Sequence, residues 1–278
     1  MNPARDGVTL SLTPAARSFF EGTPWRLIAV LAVGLLASAT LFVWGWLPLA
    51  ALRVATVTAA HGAMLATALG WAAAENKRRD DCPSPVVGLA LIGIGAGAAS
   101  VHVLGAFAYL LVPLWVRHHS ARGRLVALGL GTPVPPLAIA AGILAGVLLG
   151  AHLLVSATLT RGYRPHVGNL ATLAAAIAYD AGVQVLVTEC LFRGALFNRA
   201  QRRWSFAVGA TLSTVASVAR YLLDPLLPGT VELMVGTVFY VTVLSLTSAC
   251  LFWQFGTLTP AVISSLLFFV AYRLVLLR

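Results

Sequence analysis

With 59% hydrophobic and 10% charged residues over 278 positions and a mean hydropathy of +0.88, the chain is excluded from the soluble globular class and falls among polytopic membrane proteins. Its formal net charge of +10 comes from 19 Lys and Arg against nine acids, with the Arg gathered between apolar runs. That distribution suits anionic lipid headgroups rather than a nucleic acid, so the expected partners are membrane lipid and a membrane protein or complex, with no nucleic acid.

Residues 1–24 form a polar N-terminal segment with Pro3, Arg5, Asp6, Pro14, Arg17, Glu21 and Pro24 ahead of any long apolar run, a pattern unlike a cleavable signal peptide. The first apolar run is therefore expected to remain as an anchor. About 20 apolar residues in a helix cross the hydrocarbon core. Runs of that order fall near 26–47, 50–74, 86–116, 137–159, 169–197, 205–223, 230–253 and 258–277. Each is expected to be helical, because lipid offers no water to an unpaired backbone group. The expected fold is an all-α transmembrane bundle of about eight spans, with N-terminal helices over 25–160 and a second group over 161–278.

The third run is long for one crossing and short for two, so it is tilted, reaches into the headgroups, or breaks near Gly93–Gly97. With eight spans, Lys77–Arg79 would lie on one side and Arg117–Arg124 with Arg199–Arg203 on the other, which leaves the orientation open under the positive-inside rule. Glu75–Asp81 reads as a solvated mixed-charge turn. His61, His102 and His152 sit singly in three different runs, where a hydrogen bond to a backbone or hydroxyl group is the ordinary role. Convergence of the three on a metal or haem is the alternative. In the fourth run Gly142, Gly146 and Gly150 recur every four residues, so one helix face is open to close approach by another.

The most informative stretch is Thr188-Glu189-Cys190-Leu191-Phe192-Arg193-Gly194, a carboxylate and a guanidinium four apart inside an apolar run. Either charge alone at the bilayer centre costs roughly 2.5–3.5 kcal/mol, so such a pair is expected to be buried between helices and satisfied there. The i,i+4 spacing lets Glu189 and Arg193 meet. At about 100° per residue, Asp180, Gln184 and Thr188 fall within a quarter turn of one another and Glu189 and Arg193 on the opposite side. Asp180, Gln184 and Thr188 are thus candidate cavity residues, with Arg220 and Ser265 beside them. Arg220 pairs with Asp224 at a helix end or neutralises Glu189 across the helix interface.

Thr188–Phe197 resembles the Glu-Glu-x-x-x-Arg motif of the CPBP family, the type II CAAX prenyl endopeptidases and bacteriocin-processing proteins. Arg202-Arg203-Trp204-Ser205-Phe206 resembles that family's entry to its next helix, and Gly256-Thr257-Leu258-Thr259-Pro260-Ala261 its approach to the last motif; the resemblance covers about residues 165–275. It implies an all-helical membrane fold around a hydrophilic cavity, in which a glutamate and histidines activate water against a peptide bond. This chain departs at each catalytic position. Thr188 replaces the first Glu, Arg220 stands where a His is expected, and Ser265 and Phe269 stand in place of the final His-x-x-x-Asn motif. Thr188 is no base, and Arg220 cannot accept a proton.

The sequence therefore points to a catalytically degenerate member of that family, acting as a subunit, assembly factor or regulator in the cytoplasmic membrane of a bacterium. The enzymatic alternative is an endopeptidase that keeps Glu189 as its base. No cofactor is expected, and a divalent metal such as zinc enters only with that alternative. A transporter would need Asp180, Glu189, Arg193 and Arg220 to converge on an open path.

Overall fold

The computed structural model describes residues 18–75, 82–162, 169–223 and 231–276, and every regular element among them is helical. Helix α1 (Trp25–Val43) is followed by α2 (Leu49–Glu75) and α3 (Pro85–Val101). A 3₁₀ helix, Val103–Leu110, then runs into α4 (Leu111–Ala121), and α5 (Pro136–Arg161) follows. Helix α6 (Leu170–Arg203) carries two π-helical stretches, Asp180–Gln184 and Cys190–Phe197. Helices α7 (Phe206–Leu222), α8 (Val231–Phe255) and α9 (Thr259–Leu276) complete the chain.

The helix ends follow local chemistry. Pro85 and Pro136 sit in the first turns of α3 and α5, where a missing N–H costs nothing. The Asn169 side chain accepts from Ala171 N, and Ser205 Oγ accepts from Val208 N, so each caps an orphan amide. Gly162 closes α5 at φ 63°, a left-handed conformation that suits glycine.

Among the described residues five helices are long and apolar enough to cross a membrane: α1, α2, the Pro136–Thr160 stretch of α5, α6, and the Met234–Phe255 stretch of α8. Three shorter apolar helices, Pro85–Val101, Phe206–Leu222 and Thr259–Val275, accompany them. The third apolar run is broken, but at His102 rather than at Gly93–Gly97. There the backbone turns extended (φ −151°, ψ 144°), and the imidazole Nδ1 accepts from Leu104 N to start the 3₁₀ helix. The chain then folds back on α3: a Cβ on Gly88 would lie 3.3 Å from the Trp115 ring.

One core draws on both halves of the chain. Leu65, Ile92, Val112, Val183, Val187, Phe197 and Leu258 belong to it and are almost completely buried. Gly142, Gly146 and Gly150 face α9, where an added Cβ would stand 2.6 Å from Pro260 O, 2.7 Å from Ser264 O and 2.9 Å from Ala271 Cβ. Backbone therefore meets backbone along this pair, as small residues in a membrane allow.

One end of the bundle gathers the ends of several helices. Asn198 donates to Ala127 O at 3.1 Å, Leu258 N donates to Gly129 O at 2.9 Å, and Arg199 Nε donates to Glu75 Oε1 at 2.9 Å. One sequence expectation is corrected here. Glu75 is not part of a solvated turn: it is 7% exposed and also pairs with Arg202, because the end of α2 packs on the end of α6. Lys77–Arg79, expected on the side opposite Arg199–Arg203, lie outside the described residues.

Candidate functional site

Helix α6 carries four polar stations, each closed by other elements. Near its start, Asp180 is fully buried and accepts two hydrogen bonds from Arg273 of α9, at 2.8 Å from Nε and 2.7 Å from Nη2. This bidentate fork fits a guanidinium to a carboxylate plane.

One turn on, Gln184 is a hub. Its Oε1 accepts from Arg220 Nη2 at 2.8 Å and its Nε2 donates to Tyr221 Oη at 3.1 Å. Imidazole Nε2 of His61, on α2, lies 3.1 Å from that same Oε1 and 3.2 Å from Arg220 Nη2. His61 Nδ1 stands 3.1 Å from Val57 O, and since a carbonyl can only accept, the ring proton sits on Nδ1 and Nε2 faces the guanidinium as an acceptor. Thr188 is turned to its own helix, its hydroxyl donating to Gln184 O at 2.6 Å and Val185 O at 3.0 Å.

At mid-helix, Glu189 is 2% exposed. Its Oε1 accepts from Ser265 Oγ of α9 at 2.8 Å, and its Oε2 lies 3.4 Å from Arg193 Nε. Arg193 Nη1 donates to Ser217 Oγ of α7 at 2.9 Å. Ser248 of α8 stands 3.5 Å from Ser265, so hydroxyls of three helices surround the pair.

At the far end, Arg199 gathers backbone carbonyls. Besides Glu75 it donates to Phe19 O at 2.6 Å, Glu21 O at 3.0 Å and Trp71 O at 3.1 Å, and its guanidinium lies 4.6 Å from the Trp71 ring centroid. Nearby, burial and then the charges of Arg124, His118 and Arg122 hold His119 below the ordinary imidazole range, and Arg124 lies 3.4 Å from its Nδ1.

The expectation that Asp180 and Glu189 lie on opposite sides of one helix is corrected: both meet α9, through Arg273 and Ser265. The physical reason is the Asp180–Gln184 stretch. A π-turn takes in more residues than an α-turn, so rotation per residue falls and Glu189 lags toward the Asp180 side.

This chain matches no protein-family model, no curated protein and no solved structure.

The structure brings Glu189, Arg193 and Ser265 together, and Gln184 with Arg220. The partner Asp224 expected for Arg220 lies outside the described residues. His61, His102 and His152 do not converge: they bond Val57 O and Arg220, Leu104 N, and Tyr240 respectively. No group of three or more His, Cys, Asp or Glu side chains placed to hold a metal occurs among the described residues. Around Glu189 the neighbours are hydroxyls and a guanidinium, a set that does not fit a divalent metal.

Arg273, Ser217, Ser248, Glu75 and Arg199 were not among the sequence candidates. A signal existed for Arg273. Asp180 and Glu189 are nine residues apart and Ser265 and Arg273 eight, about 13 Å and 12 Å of helix, so two antiparallel helices can pair both at once.

Proposed function

We propose that this chain is a multi-pass protein of the bacterial cytoplasmic membrane, built on a scaffold like that of the CPBP endopeptidases, and acts as a subunit, assembly factor or regulator through protein or lipid contacts. The observation that carries this reading is the closure of Glu189. A general base must reach a water and the substrate's reacting carbonyl. Glu189 is instead held by Ser265 and Arg193 at 2% exposure. The other positions of the family's catalytic set are occupied in the same structural manner. Thr188 bonds its own backbone and Arg220 braces Gln184.

The fold-back at His102 supports nine membrane legs rather than eight, with α3 and the 3₁₀–α4 segment as separate legs. The end of α2 with Glu75, the α4 end with Arg122 and Arg124, and the α6 end with Arg199, Arg202 and Arg203 then share one side. Under the positive-inside rule that side is cytoplasmic, together with the start of α1, and the end of α9 faces outward.

The test is co-purification of the tagged protein from its native membrane, paired with Glu189→Gln. A stoichiometric membrane partner, retained by the variant, is the expected result. A chain that purifies alone and cleaves a peptide in a Glu189-dependent manner overturns the reading in favour of an endopeptidase.

A further inference from the structure

His152 lies on the outer face of α5 and is exposed, with its Nδ1 3.0 Å from the hydroxyl of Tyr240 on α8. It is the seventeenth of 26 residues, about 24 Å along a helix of about 39 Å, and so within the hydrocarbon layer. A single hydrogen bond joins the two side chains, and it leaves the same remainder whichever way it runs. If Tyr240 donates to Nδ1, the imidazole keeps an Nε2–H donor and the phenol oxygen keeps an acceptor lone pair. If Nδ1–H donates to Tyr240, Nε2 is the acceptor and the phenol O–H the donor. One donor and one acceptor remain on the exposed imidazole and the half-buried phenol, where acyl chains offer a partner to neither.

The surface around the pair is apolar and indented. Leu148 and Val155, one turn to either side of His152, are 60% and 57% exposed, and Phe239 beside Tyr240 is 54% exposed. Gly236, one turn before Tyr240 in α8, has nothing within 4 Å of where a Cβ would stand. A helix-interior glycine costs about 1 kcal/mol against alanine. In the bundle's other close contacts glycines admit a neighbouring backbone; here the notch is open.

The geometry points to a two-fold homodimer formed on this face, in which His152 of each copy bonds Tyr240 of the other and the partner helix enters the notch at Gly236. A two-fold interface places residue i on j and j on i. One leftover donor and one leftover acceptor on two adjacent side chains are what that symmetry satisfies, twice over, with no other group required. This surface is on the outside of α5 and α8, away from Glu189, and the inference does not rest on the reading of that site.

The test uses the full chain in phospholipid nanodiscs and native membranes, with Cys82 and Cys250 replaced by Ser. Native mass spectrometry is expected to give a dimer. Oxidation of an Ala151→Cys variant, beside His152, is expected to link copy to copy, while Val33→Cys on α1 gives no link. Tyr240→Phe removes one of the two groups and is expected to raise the dissociation constant, measured by energy transfer between labelled copies on lipid dilution, by roughly five- to tenfold. Gly236→Leu, whose Cβ would meet nothing within 4 Å in the monomer, fills the notch and is expected to abolish the dimer. A monomer at all lipid dilutions, carrying bound phospholipid or a different membrane protein on this face, overturns the inference. A dimer indifferent to both variants overturns it as well.

Discussion

Ser265 Oγ donates to Glu189 Oε1 at 2.8 Å, while Oε2 of the same carboxylate stands 3.4 Å from Arg193 Nε. A serine from the last helix thus bonds one oxygen of the motif's acid, and an arginine one turn along its own helix faces the other by charge alone. The hydroxyl can only orient and stabilise the carboxylate; it cannot take its proton load as an imidazole could. Breaking such a buried pair from one side leaves an uncompensated charge, whereas removing both charges leaves none.

Arg193→Met is therefore expected to destabilise the protein by roughly 3–5 kcal/mol, and the double variant Glu189→Gln/Arg193→Met by clearly less than Arg193→Met alone. Thermal unfolding of the three proteins in one detergent checks this. Equal losses for Arg193→Met and the double variant would mean that the ion pair contributes only packing.

Glycines of one sequence type should respond in opposite directions. Gly146→Ala puts a Cβ 2.7 Å from Ser264 O, a backbone atom that cannot swing away, and is expected to cost about 1–3 kcal/mol by prying α5 from α9. Gly34→Ala in α1 meets nothing within 4 Å and is expected to gain up to about 1 kcal/mol from helix propensity. The same unfolding assay ranks the two variants.

Arg199 binds three backbone carbonyls, those of Phe19, Glu21 and Trp71, as well as Glu75. Arg199→Lys keeps the charge but not the planar fork, so it should fail to replace the arginine. Limited proteolysis is expected to cut near Phe20–Thr23 in Arg199→Lys and Arg199→Met but not in the parent protein.

At the basic end, burial and then the charges of Arg124, His118 and Arg122 lower the His119 pKa. A folded imidazole held below its unfolded value favours folding above the unfolded pKa, and that contribution is lost as the pH falls through the folded pKa. Nuclear magnetic resonance titration should place the His119 midpoint below that of an unperturbed imidazole. Arg124→Gln, which removes one of the three opposing charges, should move it upward.

The sequence alone determined that this is a helical membrane protein, because lipid admits only helices and closed barrels and continuous apolar runs of about 20 residues suit the helix. It also marked where most helices lie. The charges at Glu189 and Arg193 stood out for the same reason: an ionisable side chain in an apolar run must have a partner. The break at His102 was missed because the residues on both sides of it are equally apolar, so composition carries no boundary there. The faces of α6 were misjudged because a constant 100° per residue has no provision for the π-turns at Asp180–Gln184 and Cys190–Phe197.

Partners across helices were decided by tertiary structure alone. Asp180 with Arg273, Glu189 with Ser265, Gln184 with Arg220, and Arg199 with Glu75 join positions from 36 to 124 residues apart. Hydropathy reports how costly a buried charge is, but the identity of the group that satisfies it depends on which helices are neighbours and at what register. That is fixed by packing such as the glycine face of α5 on α9, not by any local run of the chain.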